Sequence, residues 1–173
     1  MWFSLLNQSF PKPIGVSEFR KAMRSFPASV SIVTTGSQGT RFGMTASSVT
    51  GLSDSPASLI LCVNREASSH EALARCRVFA VNLLNENNAD LAEKFSSAPQ
   101  SERFVDSRWK EGPFGLPMVA DGAQVFCCTK NDVVEAFSHS IIVGTIFGVE
   151  GNCPNALLYR DGAFARCTGL INK

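Results

Sequence analysis

Phe19, Ala22, Met23 and Phe26 recur at the i, i+3, i+4, i+7 spacing of one helix face. Ser17 is placed to cap that helix and Pro27 to end it. The period then falls to two. Val30, Ile32 and Thr34 alternate with Ser29, Ser31 and Val33, which is strand spacing. Gly36-Ser37-Gln38-Gly39 reads as a turn into a second strand over 41–46. Leu59 to Val63 is continuously apolar, as in a strand buried on both faces, and Val78 to Leu84 reads the same way. Between them, Ser68-x-x-Glu71 has the capping-box spacing for a short helix through Ala74. Asn88 is placed to cap a further helix whose core face is Leu91, Ala92 and Phe95.

From Ser96 to Met118 the periodicity fades and three prolines intervene, which predicts a long surface excursion. Strands are predicted near 122–130, 132–138, 140–150 and 156–160, with a short one at 163–167. Gly144 and Gly148 fall on one face of the 140–150 strand, where a tight barrel bend or a second backbone would come close. Many strands, few helices and no βα alternation argue against a doubly wound sheet. They predict a mainly β fold, a closed antiparallel barrel with a few helices around it. Residues 1–16, with Pro11 and Pro13, read as a loose arm on a single domain spanning 1–173.

A chain of 173 residues with 45% apolar content buries about two-thirds of its unfolded surface. Sixteen Lys and Arg against fifteen Asp and Glu leave a formal charge of +1, and no basic run interleaves with aromatics. That argues against a nucleic-acid surface. No stretch approaches the ~18 apolar residues of a membrane span. The opening Met1-Trp2-Phe3-Ser4-Leu5-Leu6 lacks a basic flank and does not read as a signal peptide. Six cysteines stand at 62, 76, 127, 128, 153 and 167, with no C-x-x-C pair. Adjacent Cys127 and Cys128 point to opposite faces of a strand. Reduced thiols in a cytosolic protein fit this better than disulfides or zinc.

Catalytic motifs are scarce. The two histidines, His70 and His139, have no H-E-x-x-H context, and no metal site is assigned. There is no G-x-S-x-G elbow, no P-loop and no G-x-G-x-x-G. What stands out is the stretch from Gly43 to Pro56, rich in Ser and Thr with Asp54 its single charged residue. Thr45, Ser47 and Ser48 set small hydroxyls beside Gly43 and Ala46, a composition suited to a phosphate or a heteroaromatic edge and equally to an ST-turn loop.

That stretch belongs to an ordered set. Phe26-Pro27-Ala28-Ser29-Val30 and Val33-Thr34-Thr35 precede Gly43-Met44-Thr45-Ala46-Ser47-Ser48. Leu61-Cys62-Val63-Asn64, Ser68-Ser69-His70 and Phe79-Ala80-Val81-Asn82-Leu83-Leu84 follow it. Arg103-Phe104, Asp121-Gly122-Ala123, Val143-Gly144 and Leu157-Leu158-Tyr159 complete it. Over Val16 to Cys167 the chain resembles the flavin reductase-like family, the small components of two-component flavin monooxygenases.

The resemblance implies a split β-barrel of Greek-key type, usually a homodimer, that passes hydride from NADH or NADPH to FMN or FAD. It implies a flavin-dependent oxygenase as the recipient of reduced flavin. Since cofactors carry such chemistry, a reductase can lack obvious catalytic residues. By the same resemblance, Thr45, Ala46, Ser47 and Ser48 line the ring and ribityl chain, largely through backbone groups, with Val63 and Asn64 closing over them. Pro27, Ala28 and Ser29 flank the ring, or are ordinary helix-to-strand linkage. Ser68 and Ser69 meet the phosphate at a helix N-terminus, or Ser68 simply caps with Glu71. His139 contacts the nicotinamide. FMN is preferred to FAD because no separate adenine site is visible.

Phe95 reads as core. Arg103, Phe104 and Trp109 either cover a dinucleotide or pin their loop, and Tyr159 with Arg160 ends the last core strand. One departure stands out: where family members often carry Gly-Asp-His, this chain has Phe137-Ser138-His139. It leaves open a flavin-binding sensor or carrier without turnover. A flavin-dependent corrinoid reductase and a flavin-free interaction scaffold stay open as well.

Overall fold

The computed structural model describes residues 11–36 and 39–169. The first ten residues of the expected arm, and Ser37-Gln38 of the expected turn, lie outside that range. In chain order come α1 (Val16–Met23), β1 (Ala28–Ser29), β2 (Ser31–Thr35), β3 (Phe42–Ala46), β4 (Val49–Asp54) and β5 (Ala57–Asn64). Next are α2 (His70–Arg75), β6 (Val78–Leu84), α3 (Ala89–Ser97), α4 (Gln100–Arg103), β7 (Trp109–Glu111) and β8 (Pro117–Val119). β9 (Ala123–Ala136), β10 (His139–Gly151), β11 (Leu157–Arg160) and β12 (Ala163–Arg166) complete the described chain.

The fold is mainly β. Seven antiparallel strands form one sheet in the order β3-β2-β6-β9-β10-β5-β4. The sheet curls until β3 meets β5, while β3 and β4 remain its two unjoined edges. This is the split barrel that the resemblance implies, not the closed barrel that strand count alone suggests.

Strand alternation sorts the side chains into two cores. Val33, Leu61, Val63, Phe79, Val81, Cys128 and Ile142 pack together on one side of the wall. On the other, Ile32, Ala80, Leu84 and Cys127 pack against Leu91, Ala92 and Phe95 of α3 and Met118 and Val119 of β8. Cys127 and Cys128 thus part to opposite faces, as a period of two requires. Fully burying one Leu or Phe contributes about 1.5–3 kcal/mol, so both clusters hold the wall in register.

Several expectations are corrected. The strands expected at 122–130 and 132–138 are one fourteen-residue strand, β9. The 96–118 segment, expected as a long surface excursion, holds α4 and the β7–β8 pair and buries Arg103, Leu116 and Met118. Phe95, Phe104 and Trp109 meet there with ring centroids 4.9–5.1 Å apart, which pins the segment to the barrel. The Thr50–Asp54 part of the Ser/Thr-rich stretch is not loop but edge strand β4, exposed from Thr50 onward and broken by a bulge between Gly51 and Ser53.

Helix α1 is capped by Gly15 rather than Ser17 and ends at Met23, with Arg24 and Ser25 in a turn before Pro27. The Ser68–Glu71 capping box does not form. Ser69 is the N-cap residue of α2, and Glu71 pairs with Arg75 one turn along. Asn88 occupies the N-cap of α3, but its amide bonds Asn85 and Gly122 instead of the helix. A bulge between Ile146 and Gly148 reverses alternation in β10. Gly144 therefore faces Phe79, where a Cβ would sit 2.5 Å from the ring, while Gly148 turns toward Cys127.

Candidate functional site

The expected site residues gather in two places. The first is a groove of about 530 Å³ where α1 crosses the seam between β3 and β4. Ala28, Ser47, Ser48 and Tyr159 lie along it, with Phe19 and Met23 of α1 and Phe26 just after it as an apolar wall, and with Arg20, Arg24, Arg160 and Asp161 also in the lining. The sheet places them: Ala28 pairs with Tyr159, and Ser29 with Leu158. Pro27 and Ser29 flank Ala28 on the same connection. None of α1's residues is buried, Phe19 being 52% exposed, and Phe26 beyond its end is 65% exposed. An amphipathic period was visible in α1, but not that its apolar side would line a groove.

The second place is the paired ends of β5 and β10. Asn64 lies opposite His139, and Cys62 opposite Ile141. Paired residues share a face, so Asn64 and His139 point to the same outer side. The imidazole of His139 is exposed, with Nδ1 2.9 Å from Ser138 Oγ. The two-residue hairpin tip beside it holds Phe137, 98% exposed and at φ 54°, a conformation L-residues rarely adopt. The tip is tied down, because Arg65 N donates to Ser138 O. Ser48 connects the two places, since its hydroxyl donates to Cys62 O and accepts from Cys62 N in the manner of a ladder residue.

Hydroxyl commitments separate the candidates. Each hydroxyl carries a single proton. Thr45 Oγ1 donates to Ala92 O at 2.6 Å, Ser48 Oγ to Cys62 O at 2.8 Å, and buried Ser69 Oγ to Gly43 O at 2.9 Å. These three therefore hold the fold and have no proton left for a phosphate oxygen. Among the described residues Ser29, Ser47 and Ser68 donate to nothing, and the last two are exposed. Ala46 and Val63 point into the barrel core, which leaves them only backbone groups to offer a ligand.

Two residues gain meaning that sequence did not give them. His70 Nε2 lies 2.9 Å from the buried Ser140 hydroxyl, so both histidines sit at the start of β10, His139 in the strand and His70 against it. No local motif signals that pairing. Arg103, read as a candidate cover for a dinucleotide, is only 8% exposed. Its Nη1 donates to Gly43 O at 2.7 Å and its Nε to Ala98 O at 2.9 Å. Burial pulls its pKa below the ordinary guanidinium value. Gly43 must be glycine: a Cβ would sit 2.8 Å from Phe95 and 3.0 Å from Phe104. Farther along, Arg108 bonds Asp106 and Asp90 and holds the Asp106 carboxyl down at about 2.

All six cysteines are free thiols. Among the described residues no helix is long and apolar enough to cross a membrane.

Residues 23–168 match the family model of the flavin reductase like domain. The reductase component of 4-nitrophenol 4-monooxygenase/4-nitrocatechol 2-monooxygenase from Rhodococcus opacus is 31% identical over 159 residues, 92% of this chain and 85% of that protein. An FMN reductase (NADH), RutF 2 of Methylorubrum extorquens, is 35% identical over 136 residues, covering 78% and 79%. Among solved structures, the NADH:FAD oxidoreductase SgcE6 of Streptomyces globisporus in complex with NAD and FAD fragments superposes with a TM-score of 0.84. It shares 26% identity, over 93% of this chain and 98% of that one. Fold, motif order and matched span agree, and this chain belongs to the flavin reductase-like domain family.

Proposed function

We propose that the chain is an NAD(P)H:flavin oxidoreductase that supplies reduced flavin to a partner oxygenase. The observation that carries this is the seam groove: Phe19, Met23 and Phe26 form an apolar wall with Ala28, Ser47 and Tyr159, the Ser47 hydroxyl is uncommitted, and Arg20, Arg24, Arg160 and Asp161 complete the lining. A planar heteroaromatic ring with a polar tail fits that chemistry, and a charged catalytic cluster is not needed. Flavin, when bound, accepts a hydride from a reduced nicotinamide, so the protein's task is placement. Ala28, Ser29 and Ser47 would flank the ring, with Pro27 before them and Thr45, Ala46 and Ser48 contributing backbone groups. Val63 and Asn64 would close one side through backbone and amide. Ser68 is the hydroxyl suited to a phosphate, and Ser69 would act by positioning Gly43. His139, with Nδ1 toward Ser138, turns Nε2 outward for a nicotinamide carboxamide.

The bound flavin is read as FMN or FAD and the reductant as NADH or NADPH. The relatives named FMN reductase (NADH), and the monooxygenase reductase component, support that choice. The exposed apolar face of α1 supports a homodimer in which a second copy covers it. A cytosolic location and a single domain over 1–173 complete the reading.

Purified protein mixed with FMN or FAD should oxidise NADH well above background, followed at ~340 nm, and any retained flavin should absorb near ~450 nm. Flavin binding without NADH or NADPH oxidation would replace this reading with a flavin carrier.

A further inference from the structure

On the wall away from the seam, a second cleft of about 610 Å³ is lined by Arg77, Val78, Phe114, Thr129 and Phe147. Two departures from regular backbone present its aromatic pair. Phe114 sits at φ 58° in the turn between β7 and β8, a conformation glycine takes freely and phenylalanine does not. Phe147 is the unpaired residue of the bulge between Ile146 and Gly148. The rings meet edge to face with centroids 5.8 Å apart, yet stay 76% and 43% exposed. So the contact does not serve to bury them.

The polar part of the lining has one sign. Arg77 is exposed, and among the described residues it has no ion pair; Thr129 is exposed with an uncommitted hydroxyl; no acid lines the cleft. A guanidinium beside an aromatic corner is matched by a flat ring bearing one carboxylate. The ring would pack on Phe114 and Phe147, and the carboxylate would take the two parallel N–H groups of arginine. We propose that this cleft binds a small aromatic carboxylate, separately from the flavin groove. No reaction is assigned to it.

Titration calorimetry of the full chain with 1-naphthoate tests this, with 1-naphthalenemethanol as the uncharged control. Phe114→Gly suits the backbone at that position, so it should fold and melt no lower than the parent. It should weaken naphthoate binding about tenfold, the loss of one well-placed aromatic contact plus its buried area. Arg77→Gln should weaken naphthoate about tenfold, the share of a charge-assisted bond, and leave the neutral control unchanged. FMN should not displace naphthoate. The proposal is overturned if the parent gives no binding heat or if both variants bind as the parent does. It is also overturned if FMN competes, which would put naphthoate in the flavin groove. Sedimentation showing that naphthoate or Phe147→Ala dissociates a dimer would overturn it too, by assigning the face to a second copy of the chain.

Discussion

Replacing Arg103 with Met removes a buried cation that joins three segments. In the native chain it donates to Ala98 O, Gly43 O and Gln100 Oε1 at 2.9, 2.7 and 3.2 Å. Bonds from a charged donor contribute roughly 1.5–3 kcal/mol each. Met avoids the cost of burying a guanidinium, several kcal/mol after relaxation, which offsets much of the loss. Gly43 O keeps its bond from Ser69, whereas Ala98 O loses the Nε donor. The net destabilisation expected is about 2–4 kcal/mol. Arg103→Lys would keep the charge but not the planar fork, and should recover only part of it. Urea unfolding gives the free energy, and FMN and NADH titrations on the folded variant give the site's response. Flavin affinity should fall, because Gly43 lies in β3, the strand that leads to Ser47, while the Michaelis constant for NADH should not rise selectively. A variant as stable as the parent but with a raised NADH Michaelis constant would refute this reasoning and restore Arg103 as a dinucleotide contact.

Four further outcomes follow from the geometry. Ser68→Ala should weaken FMN binding by about tenfold relative to riboflavin at unchanged stability. Ser69→Ala should instead cost about 1 kcal/mol of stability and affect both flavins alike, as fluorescence titration beside urea unfolding will show. His139→Ala should raise the Michaelis constant for NAD(P)H and leave flavin affinity unchanged; pre-steady-state flavin reduction that is unaltered at every NADH concentration would end that assignment. His70→Ala is not a neutral control, since it releases Ser140 next door. Asp106, lowered to about 2 by Arg108, stabilises the fold above its unfolded pKa near 3.8, and that contribution disappears as pH falls toward 2. Asp106→Asn should therefore be on the order of 2 kcal/mol less stable near neutral pH and converge with the parent in acid, measured by denaturation at several pH values.

The wall of the barrel was legible because its strands obey a period of two. Val33, Leu61, Phe79 and Ile142 lie where alternation puts them. β4 escaped because Thr50, Gly51, Ser53 and Asp54 on a solvent-facing edge carry no apolar signal, so a strand there looks like a loop. The β9 break was misread since Lys130, Asn131 and Asp132 interrupt the apolar pattern, whereas the backbone ladder with β10 absorbs them through a bulge. At the site, residue type and order picked out candidate segments. They did not say which hydroxyl had already given its proton to the backbone. Thr45, Ser48 and Ser69 look identical in sequence to Ser47 and Ser68, and only long-range partners at Ala92, Cys62 and Gly43 separate them.

The open edge of β4 has a consequence for how the protein behaves at high concentration. An edge strand offers unpaired N–H and C=O groups to any other chain, which is how sheets extend into aggregates. Here the bulge between Gly51 and Ser53 bends that row, Asp54 adds charge at its end, and Pro56 in the turn beyond lacks an N–H. Leu52, 53% exposed at the bulge, is the apolar side chain an incoming strand would first meet. A chain straightened there, by a β-branched residue in place of Gly51, would keep its folded core and aggregate at high concentration, with flat Ser-rich edges stacking from molecule to molecule.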